Sequence, residues 1–415
     1  MNQTQFTNPI VFLALLACLA ASFQAHADAR GFTMAGAGVA TGHPTQAAAL
    51  NPALLAHKTE TEQFSLTFPS FALEASDPDD VMDRVRDFQS VLDQINDLLD
   101  EGEYDTGELE ELRGQLVERY SHIDGQASID GQVYGQLAFP GKRVAMGVFF
   151  SAIPSLYTRA SQHPDDVTVI EQFSDSDDIK ALRSEGMVIG NMVMETGLLF
   201  ATELEFAHGV AGIGLTPKLQ RIDAFAYNDT IAGFSDRNYD ESGGYNNETA
   251  FNMDAGVTWL QGNWRSGLSI RNLFKRSVAA PVQQTNILSE SGELNLHYEF
   301  RPEFTLGLGY NWKAWTIAAD LDLNKRRYLA LDRESQRDVF SDGQHVQFVR
   351  LGLAYSDDSR WQWRTGLRAD IQNTYETAVT AGMAYTAFSR MTVDFGLLYS
   401  GRRSLGGSMQ LAFNF

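Results

Sequence analysis

The chain closes on Met409-Gln410-Leu411-Ala412-Phe413-Asn414-Phe415, with an apolar side chain at every second position and phenylalanine last. A period of two sends alternate side chains to opposite faces of an extended strand, so this segment has one apolar and one polar face. The pattern recurs upstream. Met391, Val393, Phe395, Leu397 and Tyr399 oppose Thr392, Asp394, Gly396 and Ser400. Trp361, Trp363, Leu367 and Ala369 oppose Gln362, Arg364, Arg368 and Asp370. Trp315, Ile317, Ala319, Leu321 and Leu323 oppose Thr316, Asp320, Asp322 and Asn324. A soluble sandwich also alternates, but it buries its apolar faces against each other. Here the polar faces carry Gly, Asn, Thr and charges of both signs, while the apolar faces end in Trp, Tyr or Phe. That suits a barrel with lipid outside, a polar lumen and aromatic girdles at both membrane interfaces.

Fourteen such segments run at about 61–73, 126–139, 142–158, 185–206, 208–228, 250–261, 264–273, 303–311, 314–325, 344–356, 361–371, 377–386, 390–400 and 406–415. After every even-numbered segment the link is tight, as at Pro140-Gly141, Ala207 and Gln261-Gly262-Asn263. After most odd-numbered segments it is long: 74–125, 159–184, 229–249, 274–302 and 326–343. An even strand count with alternating short and long links marks a bacterial outer-membrane barrel, short turns toward the periplasm and long loops outward. The expected fold is therefore all-β, a fourteen-stranded antiparallel transmembrane β-barrel, with both termini periplasmic. A soluble all-β protein is the rival.

One long link is helical. Val81, Val85, Phe88, Leu92, Ile95 and Leu99 recur at spacings of three and four, with Asp77-Pro78 as N-cap and first-turn pair, and a second helix is expected over Glu108 to Tyr120. This amphipathic insertion, at about 77–122, is expected to lie over the barrel mouth. Its acidic face reads as solvated, or as a bridge through divalent cations to lipopolysaccharide.

The N-terminus reads as a secretory signal. The apolar run from Ile10 to Phe23 is too short to span a bilayer as a helix, and Ala25-His26-Ala27 is a small-x-small cleavage site. Residues 1–27 are expected to be removed. The competing reading is a lipoprotein box at Leu15-Leu16-Ala17-Cys18. Cys18 is the one cysteine, so the mature chain has no disulfide, thiol nucleophile or Cys-based metal site. A formal charge of −21 makes nucleic acid an improbable partner.

Between signal and first strand runs GFTMAGAGVATGHPTQAAALNPALLA, Gly31 to Ala56. Gly36-Ala37-Gly38-Val39-Ala40-Thr41-Gly42 does not make a dinucleotide loop. Its third glycine comes one residue late, no strand precedes it, and no lysine follows as in a P-loop. The histidines His43, His57, His122, His163, His208, His297 and His345 show no metal-ligand spacing, and no Ser-His-Asp trio stands out. No catalytic residue, metal or cofactor is expected. The lumen-facing charges Arg265, Arg271, Asp320, Asp322, Arg350, Arg364, Arg368, Asp370 and Asp394 are expected to pair across the barrel.

The Gly/Ala run, Gln46-Ala47-Ala48-Ala49 and Asn51-Pro52-Ala53 resemble the plug region of FadL-type outer-membrane transporters of long-chain fatty acids and other hydrophobic compounds. The acidic helical insertion, Gly267-Leu268-Ser269-Ile270-Arg271-Asn272-Leu273 and Ala318-Ala319-Asp320-Leu321-Asp322-Leu323 are similar to the TraF-like barrel branch, often labelled conjugal transfer protein. That label also attaches to a thioredoxin-like protein, which a chain without cysteine after Cys18 does not fit.

The resemblance implies a plug at 28–60 inside a barrel at 61–415, and passive uptake of hydrophobic small molecules such as long-chain fatty acids. Asn51, Pro52 and Ala53, with Gly36 and Gly38, are the expected plug and gate. Pro154 marks a lateral wall opening, because proline removes a ladder donor. Leu260, Phe348 and Leu398, apolar on otherwise polar faces, are the expected lumen contacts with ligand. Outer-membrane lipid and lipopolysaccharide are the expected surroundings, and the last strand ending in Phe415 is expected to meet the barrel-assembly machinery. The other function class is a structural or assembly barrel of the envelope, linked to conjugation or secretion, with no transported ligand.

Overall fold

The structure, a computed structural model, describes residues 28–57, 63–100, 105–141, 143–173, 175–232, 245–285, 292–327, 329–331, 345–357, 359–388, 390–401 and 403–415. The signal expected over 1–27, Cys18 and the last residues of the 28–60 segment lie outside the described residues.

Fourteen strands close into an antiparallel barrel. They are β1 (Ser65–Ser76), β2 (Gly125–Phe139), β3 (Ala145–Ser161), β4 (Glu185–Phe206), β5 (Gly209–Thr230), β6 (Tyr245–Gln261) and β7 (Trp264–Arg271). The second half comprises β8 (Glu303–Trp312), β9 (Trp315–Asp322), β10 (Phe348–Ser356), β11 (Trp361–Asp370), β12 (Ala378–Ala387), β13 (Met391–Tyr399) and β14 (Ser404–Asn414). Each strand pairs with its sequence neighbours, and β14 returns to β1 from Asn414↔Ser65 to Ser404↔Ser76. Closure leaves no unpaired edge, which a lipid environment demands because it offers backbone groups no hydrogen bonds. The register of β1 shifts between Thr67 and Ser70 on both sides, around Phe68-Pro69.

The alternation read from the sequence is the inside–outside division of the wall. Phe71, Phe150, Leu219, Leu308, Leu351, Leu397 and Met409 are exposed on the outer face, while Thr216, Asn252, Asp320 and Arg350 are buried in the lumen. Aromatic rings gather at the short-turn end. Trp264 packs on Tyr310 at 4.8 Å, Trp315 on Tyr355 at 4.7 Å, Trp361 on Tyr385 at 4.7 Å and Phe64 on Phe415 at 4.6 Å. Such rings suit a membrane interface, where one edge meets lipid and the other water.

The plug opens on a short helix, α1 (Ala29–Thr33). The insertion forms α2 (Val81–Asp100) and α3 (Thr106–Tyr120). The first helix begins at Val81, later than the Asp77-Pro78 cap implies, because Asp80 adopts φ +60° and turns the chain first. Asp77 still caps it, accepting from Val81 N at 2.7 Å and Met82 N at 3.2 Å. Phe88, Leu92 and Ile95 pack with Leu109, Leu112 and Leu116 and with Ile170 on α4 (Asp166–Gln172). Ala127, Ala160 and Ile231 join that cluster, so the hairpin is a lid packed on its own barrel. Sequence periodicity gave no sign of the three-stranded sheet of Arg276–Ala279, Leu296–Phe300 and Leu329–Leu331 at the long-loop end.

Candidate functional site

The segment from Asp28 to His57 lies inside the barrel and is bonded to its wall at many points. Asp28 caps α1, accepting from Arg30 N at 3.0 Å and Gly31 N at 2.9 Å. Ala29 N donates to Gln410 Oε1 on β14 at 3.1 Å, and Thr380 Oγ1 on β12 donates to Thr33 O at 2.9 Å. Ala35 (φ +54°) and Gly36 (φ +86°) then reverse the chain. The next amides, Gly38 N and Val39 N, converge on Asp320 Oδ2 of β9 at 2.8 and 3.0 Å. On the opposite wall Gln136 of β2 holds Pro44 O and Ala48 N at 2.7 and 3.0 Å.

Asn51 is fully buried and joins plug to plug and plug to wall. Its Nδ2 donates to Val39 O at 2.9 Å and to Val257 O of β6 at 3.2 Å, while Oδ1 accepts from Ala53 N at 3.0 Å. Pro52 starts the short 3-10 turn Pro52–Ala56. The sequence-predicted set thus falls into one unit: Asn51, Pro52 and Ala53 sit beside the Gly38–Val39 segment, with Gly36 in the bend before it. His57 ends the turn, its Nε2 2.8 Å from Thr258 Oγ1. Burial, with Arg265 nearby, pushes His57 down to about 4. An undocked histidine titrates near about 6.5, so the folded state disfavours the proton. The turn is expected to lose stability as pH falls from 6.5 toward 4 and to level off below. Melting curves of the wild type and His57→Gln across that range check this, and parallel curves would remove His57 from the account.

Sequence reasoning missed what receives the plug. Gly214 faces Gly256 across β5–β6, Gly267 faces Gly307 across β7–β8, and Gly309, Ala318, Gly352 and Gly366 run in register across β8 to β11. Gly382 faces Gly396 across β12–β13. These positions form a belt on which the plug backbone rests. A β-carbon at Gly267 would stand 2.8 Å from Val39 O, one at Gly307 2.9 Å from Ala40 N, and one at Gly352 3.1 Å from Met34 O. At Gly214 and Gly366 it would overlap the backbone of Pro52–Ala53 and Met34–Ala35. The available signal was glycine at lumen-facing positions of successive strands, but cross-strand register is needed to join them.

On the long-loop side of the belt lies a layer of buried charge. Lys218 Nζ meets Glu195 at 2.8 Å and Asp254 at 2.9 Å. Asp322 accepts from Arg350 and Arg326, each at 2.7 Å, and Arg326 also reaches Glu303 at 3.3 Å. Arg368 pairs with Glu74 at 2.6 Å. Arg364 and Asp394 pair on the short-turn side of the belt. Lys218, Glu195, Glu74 and Glu303 complete networks of which the sequence reading held only some of the partners.

The three expected lumen contacts do not share a surface. Phe348 is flanked by the Arg350 and Arg368 guanidiniums, 5.0 and 5.1 Å from its ring centroid. Leu398 packs with Phe32 of the plug, Ala72 and Ala378. Leu260 is partly buried near the short-turn end of β6. An apolar cluster lies elsewhere in the lumen, toward the long-loop end. Tyr157, Met187, Ile189, Val193, Ile222 and Ala224 of β3–β5 pack beneath Val278, Leu296 and Phe300 of the loop sheet, and Ile153 extends this cluster along β3.

Pro154 stands at a break in the wall. The β2–β3 ladder pairs Asp130 with Ser155 and resumes at Val133↔Ala152, so Gly131–Gln132 and Ile153–Pro154 face each other outside the register. Equal numbers are left out on both sides, which makes this a gap in bonding and not a shift. On the lipid side a cavity of about 910 Å³ reaches from Pro154 and Gly131 across β1 and β14 to Trp363.

A closed fourteen-stranded barrel with a polar, filled lumen and an apolar outer face is the architecture of an outer-membrane β-barrel. The chain belongs to the family described as "F plasmid transfer operon, TraF, protein", whose model matches residues 48–322, more than half of its length. Its fold is similar to that of the CymD monoaromatic hydrocarbon channel, at 14% identity and TM-score 0.55 over 95% of this chain and 99% of that one. The Ralstonia pickettii toluene transporter TbuX matches at 13% identity and TM-score 0.52, again over 95% and 99%. A Pseudomonas aeruginosa FadL homologue matches at 12% identity and TM-score 0.52, over 95% of this chain and 100% of that one. A sequence comparison with curated proteins finds no match. Among the described residues no group of three or more His, Cys, Asp or Glu side chains is placed to hold a metal ion.

Proposed function

We propose that the protein is a passive outer-membrane channel for hydrophobic small molecules, long-chain fatty acids being the first class to test. The long loops face outward and both termini lie on the periplasmic side. The observation that carries the reading is the apolar lumen surface from Met187 and Ile222 to Ile153, which ends beside the unbonded stretch at Pro154. A charged layer and a fitted plug close the straight route down the axis. Ligand collects on the apolar surface beneath the loop sheet and leaves sideways between β2 and β3. The cavity on the lipid face receives it there, and Asn51-Pro52-Ala53 holds the plug that closes the axis.

The same closure favours a second reading, a structural or assembly barrel with no cargo. Uptake of a labelled long-chain fatty acid and of labelled toluene separates the two. It is compared between the intact protein, a deletion, the Asn51→Ala/Pro52→Ala variant and Val193→Asp, at matched outer-membrane levels. Uptake is expected to fall in the deletion and in Val193→Asp, and not to fall in Asn51→Ala/Pro52→Ala, where a loosened plug leaves the lateral route intact. Val193→Asp is expected to lose roughly tenfold or more, because a charge on that apolar surface costs more than the ~1.4 kcal/mol equal to a factor of ten. Uptake of both ligands unaffected by deletion would sink the channel reading and leave the assembly role.

A further inference from the structure

Asp130 is on the lumen face of β2 and is 2% exposed. The ladders set Glu74 of β1 opposite it on one side and Ser155 of β3 on the other. Arg368 of β11 spends its ion pair on Glu74 Oε1. Glu74 Oε2 and Asp130 Oδ1 are both buried with no hydrogen-bond partner. Tyr375, from the connection after β11, and Tyr157 of β3 are the other titratable groups beside this cluster. With both carboxyl groups ionised, one guanidinium would leave one negative charge uncompensated.

The other buried lumen carboxylates are accounted for. Asp320 takes two plug amides, and Asp370 accepts from the backbone N–H groups of Gln347, Gln372, Thr374 and Tyr375. Glu195, Asp254, Glu303, Asp322 and Asp394 each meet Lys or Arg. Among the described residues, Asp130 alone of the nine-tenths-buried carboxylates has neither an ion pair nor a hydrogen bond. Like charges directly opposite in a ladder repel, and a buried charge without a partner draws one in.

We propose that Glu74 and Asp130 form a cation site that takes one positive charge from solution, as a hard metal cation or as a proton shared by the two carboxyl groups. The facing groups offer oxygen donors, which favour hard cations over soft ones. Asp130 directly precedes Gly131–Gln132, which are paired with β1 but not with β3, so a cation here braces β1 against β2 beside the gap between β2 and β3. The inference stands on these residues and does not rest on transport.

The test uses the full chain folded in phospholipid vesicles and stripped of metal with a chelator. Thermal unfolding is recorded at mildly alkaline pH with and without millimolar Ca²⁺ or Na⁺, and infrared absorption of protonated carboxyl groups is followed against pH in metal-free buffer. A metal-dependent rise in melting temperature identifies a metal cation, and a protonated-carboxyl band without such a rise identifies a proton. Either signature is expected to disappear in Asp130→Asn and in Glu74→Gln, and to survive in Asp93→Asn on the insertion helix. A wild type with neither signature, or a signature that persists in both lumen variants, overturns the proposal. Heat-modifiable migration shows which variants fold, and either one that folds decides the question.

Discussion

Gly214→Leu is expected to release the plug while leaving the barrel closed. A side chain at this position would occupy the space of the Pro52 and Ala53 backbone, which cannot rotate away as a side-chain tip can. Overpacking a core ordinarily costs about 1–3 kcal/mol where neighbours can shift. Here the neighbour is the backbone of a turn held by Asn51 on one side and by the β5–β6 wall on the other. The wall is the firmer partner, since β5 is laddered without interruption to β6 from Val210 to Phe225 and to β4 on either side of a gap at Thr216–Pro217. The plug is the weaker partner, fixed by a limited set of single hydrogen bonds. Limited proteolysis of the folded barrel in vesicles measures the release: residues 28–57 are expected to be protected in the wild type and cut in Gly214→Leu. Gly407→Leu is the control, because it faces lipid and the nearest atom to its β-carbon is 3.8 Å away. Continued protection in Gly214→Leu would mean that the glycine belt does not seat the plug.

The second large effect concerns the charged layer. Lys218→Met is expected to destabilise the barrel by about 3–5 kcal/mol, because Glu195 and Asp254 then remain buried without their shared cation. Neutralising both acids in the same chain, as Lys218→Met/Glu195→Gln/Asp254→Asn, is expected to recover most of the loss, since amides carry no charge to bury. Urea unfolding from lipid vesicles reads both changes. If the triple variant is no more stable than Lys218→Met, the loss comes from packing of the lysine stem and not from unpaired charge.

The sequence by itself determined the wall. A period of two with lipid-compatible residues on one face can be satisfied only by strands, and strands in a bilayer only by closure, so the fourteen segments and their short and long links were legible without coordinates. The helical insertion was legible too, because its period of 3.6 is equally local. What fills the barrel was only half legible. The sequence singled out Asn51-Pro52-Ala53 as part of the plug, but which wall atoms receive it depends on β6 lying opposite a segment some two hundred positions earlier. Phe348 read as an apolar surface open to ligand, and the fold brings Arg368 and Arg350 onto its ring. The glycine belt, the partners of Lys218 and the bare carboxylate of Asp130 follow the same rule. Each arises from register between strands or from groups meeting across the lumen, and no local period encodes those. Local chemistry wrote the wall, and only the closed structure decided what its polar face holds.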